Sequence, residues 1–368
     1  MKKIVALFSL VLLLFGCFNK EEVNIKDFDI SKADNVELVK KDKENNSLQG
    51  YGILNKNYTV VDKIGKCSFE NQFDSDTNSK LKYYFINKEV KGAQYSHADI
   101  YLKDQSGCNK IKSLKYIHYG PQGDVYNDAL YLNDFEGGYT KITKDKEVIF
   151  KNGNESISGL SMDNKTKNLY FISSQDSATP KASLVKYNQE GKLLEKVDID
   201  NDFGSTFIKD NKISIVGAEL IKPIENGSSQ DYDILEGIVE TYDIDKVFED
   251  AKDHKGDIKK FKDINGGFHY KGINDNFISF GADDKEYVCD YDLTECTAYP
   301  QNTHTSDGDY VVIDKEKDSN IYIHKLGTNE IEKVIEKQKS SNMFFKGKEV
   351  MFFLNGKDGK KMVKYALK

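Results

Sequence analysis

NLYFISSQDSATPKASLVKYNQEGKLLEKVDI, residues 168–199, holds three strand-like segments separated by polar connections. Its first six residues, NLYFIS, form a short apolar run suited to a covered strand, and SLVKYN at 183–188 alternates apolar with polar side chains. A polar turn, NQEGK, leads into the more polar strand LLEKVDI, and GLSMD just upstream supplies one further short strand. The unit is therefore four strands in series, one of them buried on both faces.

The same order recurs along the chain. LKYYFI (81–86), DALYLN (128–133), KISIVG (212–217), NFISFG (276–281), DYVVID (309–314) and EVMFFL (349–354) repeat the buried run. Their alternating partners are DIYLKD (99–104), GYTKIT (138–143), IVETYD (238–243), YVCDYD (287–292), NIYIHK (320–325) and MVKYAL (362–367). STFIKD, FHYKG and NMFFKG stand where GLSMD does. Seven such units at intervals of roughly 33 to 65 residues describe an all-β, seven-bladed β-propeller of four-stranded antiparallel blades over residues 51–368. The resemblance is architectural, since the chain carries neither a WD dipeptide nor a kelch double glycine. A pair of β-sandwich domains is the competing arrangement.

The chain ends bear on this choice. MVKYAL runs to the C-terminus and leaves no residues for the outermost strand of the seventh unit, whereas NYTVVDK (57–63) is a strand without a unit. Pairing of the two is expected to close the ring.

In a four-stranded meander, connections after the second strand and connections into the next unit emerge on one face. That face carries the longest loops, at 87–98, 173–182 and 218–236. Long loops cost little closure entropy and commonly carry function. Tyr95, His97, His118, His269 and His304 fall there and make up the candidate ligand-binding rim. Imidazoles at a channel mouth can bind a metal or move protons, and hydrogen-bonded loop histidines are the plainer reading. On the opposite face, DIDKVFEDAKDHKG (243–256) is expected to form a short helix stopped at Gly256. The DSDTNS run at Asp74, Asp76 and Asn78 opens like a calcium loop but lacks the sixth-place glycine and the acid at the twelfth place, and reads as a turn. No phosphate-loop or dinucleotide glycine pattern is present, so no catalytic residue, metal ligand or cofactor is assigned.

The N-terminus has a separate logic. Lys2 and Lys3 precede an apolar run from Ile4 to Gly16, 13 residues, short of the roughly 20 that cross a bilayer as a helix. It reads as a secretion signal. Leu14, Gly16 and Cys17 resemble the lipobox of bacterial lipoproteins, with Phe15 standing where that family has a smaller residue. The resemblance implies cleavage before Cys17, acylation of its thiol and new amino group, and attachment to the extracytoplasmic face of the cell membrane, or to the outer membrane of a host that has one. Residues 1–16 are then the signal peptide. Residues 17–50, rich in charge and amide, read as a flexible tether, which fully extended would reach roughly 100 Å.

Composition bounds the partners. The formal charge of −7 opposes duplex nucleic acid. All basic residues are lysine, so the bidentate forks that arginine offers to carboxylates and phosphates are absent. Cys67, Cys108, Cys289 and Cys296 are an even set in a compartment that permits disulfides. The gap between Cys289 and Cys296 suits a hairpin staple, leaving Cys67 with Cys108; free buried thiols are the alternative. Two function classes follow. One is a membrane-anchored lipoprotein that binds or scaffolds a protein or small ligand in the envelope. The other is an extracytoplasmic propeller enzyme, of hydrolase, lactonase or dehydrogenase type, with its site at the channel mouth. The tryptophan docking repeats of quinoprotein propellers and the arginines of sialidase sites are both missing, which favours binding.

Overall fold

The computed structural model describes residues 21–29 and 53–367, apart from 55–57, 62–65, 68–71, 76–78, 89–95, 117–120, 134–136, 175–181, 200–201, 223–233, 265–266, 274–275, 283–284, 301–302, 306–309, 316–319, 337–339, 347–348 and 357–358. Five short strands precede the repeating units: β1 (Glu21–Glu22), β2 (Asn24–Asp27), β3 (Ile53–Leu54), β4 (Tyr58–Val61) and β5 (Asp74–Ser75). Blade 1 holds β6 (Lys82–Lys88), β7 (Ser96–Asp104) and β8 (Gly107–Tyr116), and blade 2 holds β9 (Gly123–Tyr126), β10 (Ala129–Asn133), β11 (Tyr139–Ile142) and β12 (Glu147–Phe150). Blade 3 is β13 (Ser156–Met162), β14 (Leu169–Ser174), β15 (Ala182–Tyr187) and β16 (Leu193–Ile199). Blade 4 is β17 (Asp202–Lys209), β18 (Lys212–Lys222), β19 (Ile234–Asp243) and β20 (Asp257–Ile264), and blade 5 is β21 (His269–Ile273), β22 (Phe277–Ala282), β23 (Lys285–Asp290) and β24 (Glu295–Pro300). Blade 6 is β25 (Thr303–Thr305), β26 (Tyr310–Lys315), β27 (Asn320–Lys325) and β28 (Ile331–Glu336); blade 7 is β29 (Ser340–Lys346), β30 (Glu349–Gly356) and β31 (Gly359–Ala366).

Within each blade, neighbours in sequence are neighbours in the sheet, and the pairing is antiparallel throughout. Blade 1 takes its inner contact from Gln72, which bridges Tyr84. The buried cores say how the sheets are arranged. Six clusters join blades 1 and 2, 2 and 3, 3 and 4, 4 and 5, 5 and 6, and 6 and 7, each drawing side chains from facing sheets. Blade 5 shows the alternation behind this: Tyr287 and Cys289 point to blade 4, while Val288 points to blade 6. A sheet with both faces packed on its successive neighbours belongs to a radial array, which removes the paired-sandwich alternative.

Ring closure follows the expected pairing. β4 lies antiparallel beside β31, with Tyr58 opposite Tyr365, Thr59 opposite Lys364, Val60 opposite Val363 and Val61 opposite Met362. The first strand group of the domain thus completes the last blade, and blade 7 reaches four strands.

The expected tether differs. Residues 21–27, inside the segment read as a flexible linker, form edge strands: β1 runs parallel to β20 on blade 4, and β2 runs parallel to β24 on blade 5. Val23 is buried in the core between these blades, and Ile25 packs against it. An outermost strand buries one side chain in two on a single face, so two apolar residues among charges are enough, and linker-like composition hides it. β3 then pairs antiparallel with β28 on blade 6. Blades 4 to 7 therefore each carry a strand from the N-terminal segment on their outer edges.

Two faces result. The loop face carries the second-to-third-strand connections and the links between blades. The turn face carries the remaining turns, among them Asn127–Asp128 and Asp210–Asn211, whose positive φ values suit residues that tolerate the left-handed region. The predicted helix is there too, as α1 (Val247–Asp250) followed by a 3₁₀ turn at Ala251–Asp253. No described helix is long and apolar enough to cross a membrane.

Candidate functional site at the loop face

His269 is the first residue of β21, the innermost strand of blade 5, and its exposed ring places Nδ1 3.3 Å from the Gly267 carbonyl. It begins a row that crosses the blade: His269 lies opposite Gly281, Gly281 opposite Glu286, and Glu286 opposite Tyr299. Tyr299 and Val288 belong to the core shared with blade 6, so this row faces the seam between blades 5 and 6. Glu286 is only 2% exposed, and Lys271 Nζ, on the same inner strand as His269, approaches its Oε2 at 2.5 Å.

Gly281 makes the arrangement possible. A Cβ there would come within 2.4 Å of Lys271 Cε and 2.7 Å of His269 Nε2, so both side chains lie over the bare backbone of β22 to reach the row. Burial pushes the Glu286 carboxyl up to about 7, against the opposing pull of Lys271 and a hydrogen bond from Ser279. A carboxyl group balanced between two protonation states, an ammonium and an imidazole thus share one seam at the mouth of the ring. The set can donate and accept hydrogen bonds with a polar ligand.

Other blades hold charge at the same end. Asp99, near the start of β7, is buried and takes Lys88 at 2.5 Å, Lys110 at 2.7 Å and the Ser113 hydroxyl at 2.7 Å. Lys110, then Lys88 and Ser113, hold its carboxyl well below the usual range. Glu236, near the start of β19, pairs with Lys260, which also reaches Glu219 at 2.8 Å. Burial lowers Lys260, and the two carboxylates more than offset it, leaving its pKa raised. Between blades 2 and 3, Glu155 accepts from the Ser173 hydroxyl at 2.6 Å and from Lys196 at 2.9 Å. These clusters fix the strand ends from which the loops spring.

Of the rim residues expected from sequence, His97 is the second residue of β7, partly buried and opposite Lys88 and Lys115. His304 is the middle residue of β25, the innermost strand of blade 6. The three rim histidines among the described residues, His97, His269 and His304, stand on blades 1, 5 and 6, and among the described residues no group of three or more His, Cys, Asp and Glu side chains could hold a metal ion. Tyr95, His118 and Cys17 lie outside the described residues, as do Asp76 and Asn78 of the DSDTNS run, of which Asp74 belongs to β5. Cys289 is disulfide-bonded to Cys296 across the β23–β24 pair, and Cys67 to Cys108 at the start of β8, with Cα separations of 4.0 and 6.0 Å. Sequence reasoning missed Glu286 and Lys271. The alternating run YVCDYD starts at Tyr287, so Glu286 fell in what read as a polar turn, whereas β23 begins at Lys285.

No protein-family model and no curated protein matches the chain. Solved structures similar to it include the β-propeller domain of the Trilobed protease from Pyrococcus furiosus, 14% identical over 80% of this chain and 95% of that one, with a TM-score of 0.49. BamB from Moraxella catarrhalis is 9% identical over 84% and 99%, with a TM-score of 0.41, and the Pan2 WD40 domain of Neurospora crassa is 8% identical over 81% and 89%, with a TM-score of 0.47. At these values the assignment of the fold rests on the sheet order and the interblade cores described above.

Proposed function

We propose that this chain is an acylated extracytoplasmic lipoprotein whose propeller binds a protein or small polar ligand at the loop face, with His269, Lys271 and Glu286 contributing to the contact. The observation that carries the binding reading is Glu286, buried on β23 and paired with Lys271, which stands beside the exposed His269 on the innermost strand β21. Burying a carboxyl group is costly, and here the cost is offset by only one ammonium and one hydroxyl. A ligand that brings further hydrogen bonds to this seam gains affinity from a group already positioned. The lysine-flanked apolar run ending in Gly16–Cys17 supports the membrane attachment.

The test has two parts. Palmitate labelling of the full chain should be lost in Cys17→Ala, with release of the protein from membranes. A photo-crosslinking amino acid at position 269 or 97 should give adducts in intact cells that one at Lys165, on the turn face, does not. Equal adducts from both faces would remove the rim as the binding surface.

A further inference from the structure

The belt strands constrain how an anchored propeller can stand on its membrane. This inference rests on acylation at Cys17, proposed above. A free linker from residue 17 to 50 would let the domain sit anywhere within roughly 100 Å of the bilayer. The structure shortens that leash: Glu21 is opposite Lys259 and Glu22 opposite Lys260, in parallel with β20. Only residues 18–20 lie between Cys17 and the first paired position, so the span is at most about 14 Å.

The direction of entry is also set. β20 starts at Asp257, immediately after the α1 insert on the turn face, and β1 runs the same way. Traced backwards from Glu21, the chain heads toward that end of blade 4. Close by is an apolar surface of the same wall. Leu193 and Leu194, 39% and 41% exposed, open the outer strand β16 of blade 3, against which α1 and its 3₁₀ turn pack. Phe248 of α1 is only partly buried, and the adjacent Lys192, Lys246, Lys252 and Lys255 are exposed. Among the described residues only Ile149 and Ile273 are comparably exposed large hydrophobics, and Ile273 ends an inner strand, which places it on the turn face as well.

We infer that the lower outer wall of blades 3 and 4, bearing Leu193, Leu194 and α1, rests against the bilayer in which Cys17 is anchored. The loop face is thereby turned away from the lipid. The partner is a phospholipid surface: leucines enter the boundary region while lysines extend to the headgroups. The occupant is chosen by the short length of chain between Cys17 and Glu21 and by the direction of β1, which enters from the turn-face end of blade 4.

The chain has no tryptophan, so a single introduced one is a unique probe. The mature acylated protein is reconstituted into phosphatidylglycerol vesicles carrying dansyl-labelled headgroups, with a Trp at position 252 (Lys252→Trp) or at position 267 (Gly267→Trp). Position 252 lies in the 3₁₀ turn; position 267 is an exposed loop-face site where an added Cβ meets nothing within 4 Å. The expected result is loss of most donor emission from Lys252→Trp and little from Gly267→Trp, with the contrast abolished when a Gly/Ser linker is inserted before Glu21. Double substitution Leu193→Ser/Leu194→Ser should weaken the transfer without changing palmitate incorporation. Equal transfer from both positions in a protein that incorporates palmitate overturns the orientation alone. Absence of palmitate overturns the anchoring reading and this inference together.

Discussion

Phe28 stacks on Tyr299 with ring centroids 4.7 Å apart and planes inclined by 29°. The contact joins the N-terminal segment to the seam between blades 5 and 6. Tyr299 in turn donates its hydroxyl proton to His324 Nδ1 at 2.8 Å, and His324 Nε2 donates to the Thr328 carbonyl at 2.9 Å. The Thr328 carbonyl requires a proton on Nε2, and in the neutral ring, which burial favours, Nδ1 accepts from Tyr299. One aromatic residue thereby ends a belt that begins at Glu21 and crosses two blade edges by main-chain pairing.

Phe28→Ala should loosen the belt without unfolding the ring. The ring is partly buried, so its loss costs about 1–2 kcal/mol, less than a fully buried phenylalanine. Hydrogen exchange is the measure: the Val23, Asn24 and Phe28 amides, bonded to Lys260, Thr294 and Ala298, should exchange faster while those of β14 and β15 do not change. Unchanged protection at all three would show that Phe28 does not hold the belt.

The same seam gives a pH dependence in which two groups act in opposite directions. Burial lowers the His324 pKa below its usual 6.5, so its contribution is full above pH 6.5 and falls away as acid protonates the ring. Glu286 is raised from 4.5 to about 7, so its contribution is full below 4.5 and is lost as pH rises through about 7. Glu286→Gln should remove the alkaline loss, making the variant more stable than the parent by on the order of 2–3 kcal/mol at about pH 8.5, with no gain at about pH 4.5. Denaturant titrations at the two pH values measure this, and an equal change at both would contradict the assignment.

The two disulfides close loops of different length, with sequence separations of 41 and 7. Loop-closure entropy makes the longer worth about 4 kcal/mol and the shorter about 2–3 kcal/mol. Cys67→Ser/Cys108→Ser should therefore lower the unfolding midpoint more than Cys289→Ser/Cys296→Ser, provided repacking at the second pair is small. Its cysteines are buried at 0% and 2% in the core between blades 4 and 5. Thermal unfolding of both variants gives the comparison.

Much of the architecture was legible because burial leaves a period. NLYFIS reads as a covered strand and NIYIHK as an alternating one, and the structure places strands at Leu169–Ser174 and Asn320–Lys325, the second of them buried on both faces rather than one. The spare strand at NYTVVDK and the missing last strand were visible as a mismatch of ends. The belt was not legible, because Val23 and Ile25 sit among Glu21, Glu22, Asn24, Lys26 and Asp27, and parallel pairing to β20 and β24 has no local signal. The site was legible only in part. His269 could be placed by its position before an inner strand, but the burial of Glu286 depends on Gly281 leaving room for Lys271, a relation between strands that no single segment shows.

The ring is closed by β4 on β31, and a crosslink between Thr59 and Lys364 probes that closure. Residues directly opposite in an antiparallel pair have Cα atoms about 4.5–5.5 Å apart, within reach of a disulfide. Thr59→Cys/Lys364→Cys should oxidise readily to a crosslinked chain, while Thr59→Cys/Met362→Cys, two residues out of register, should not. Equal crosslinking of both pairs, or none in the first, would contradict a ring closed by β4 on β31.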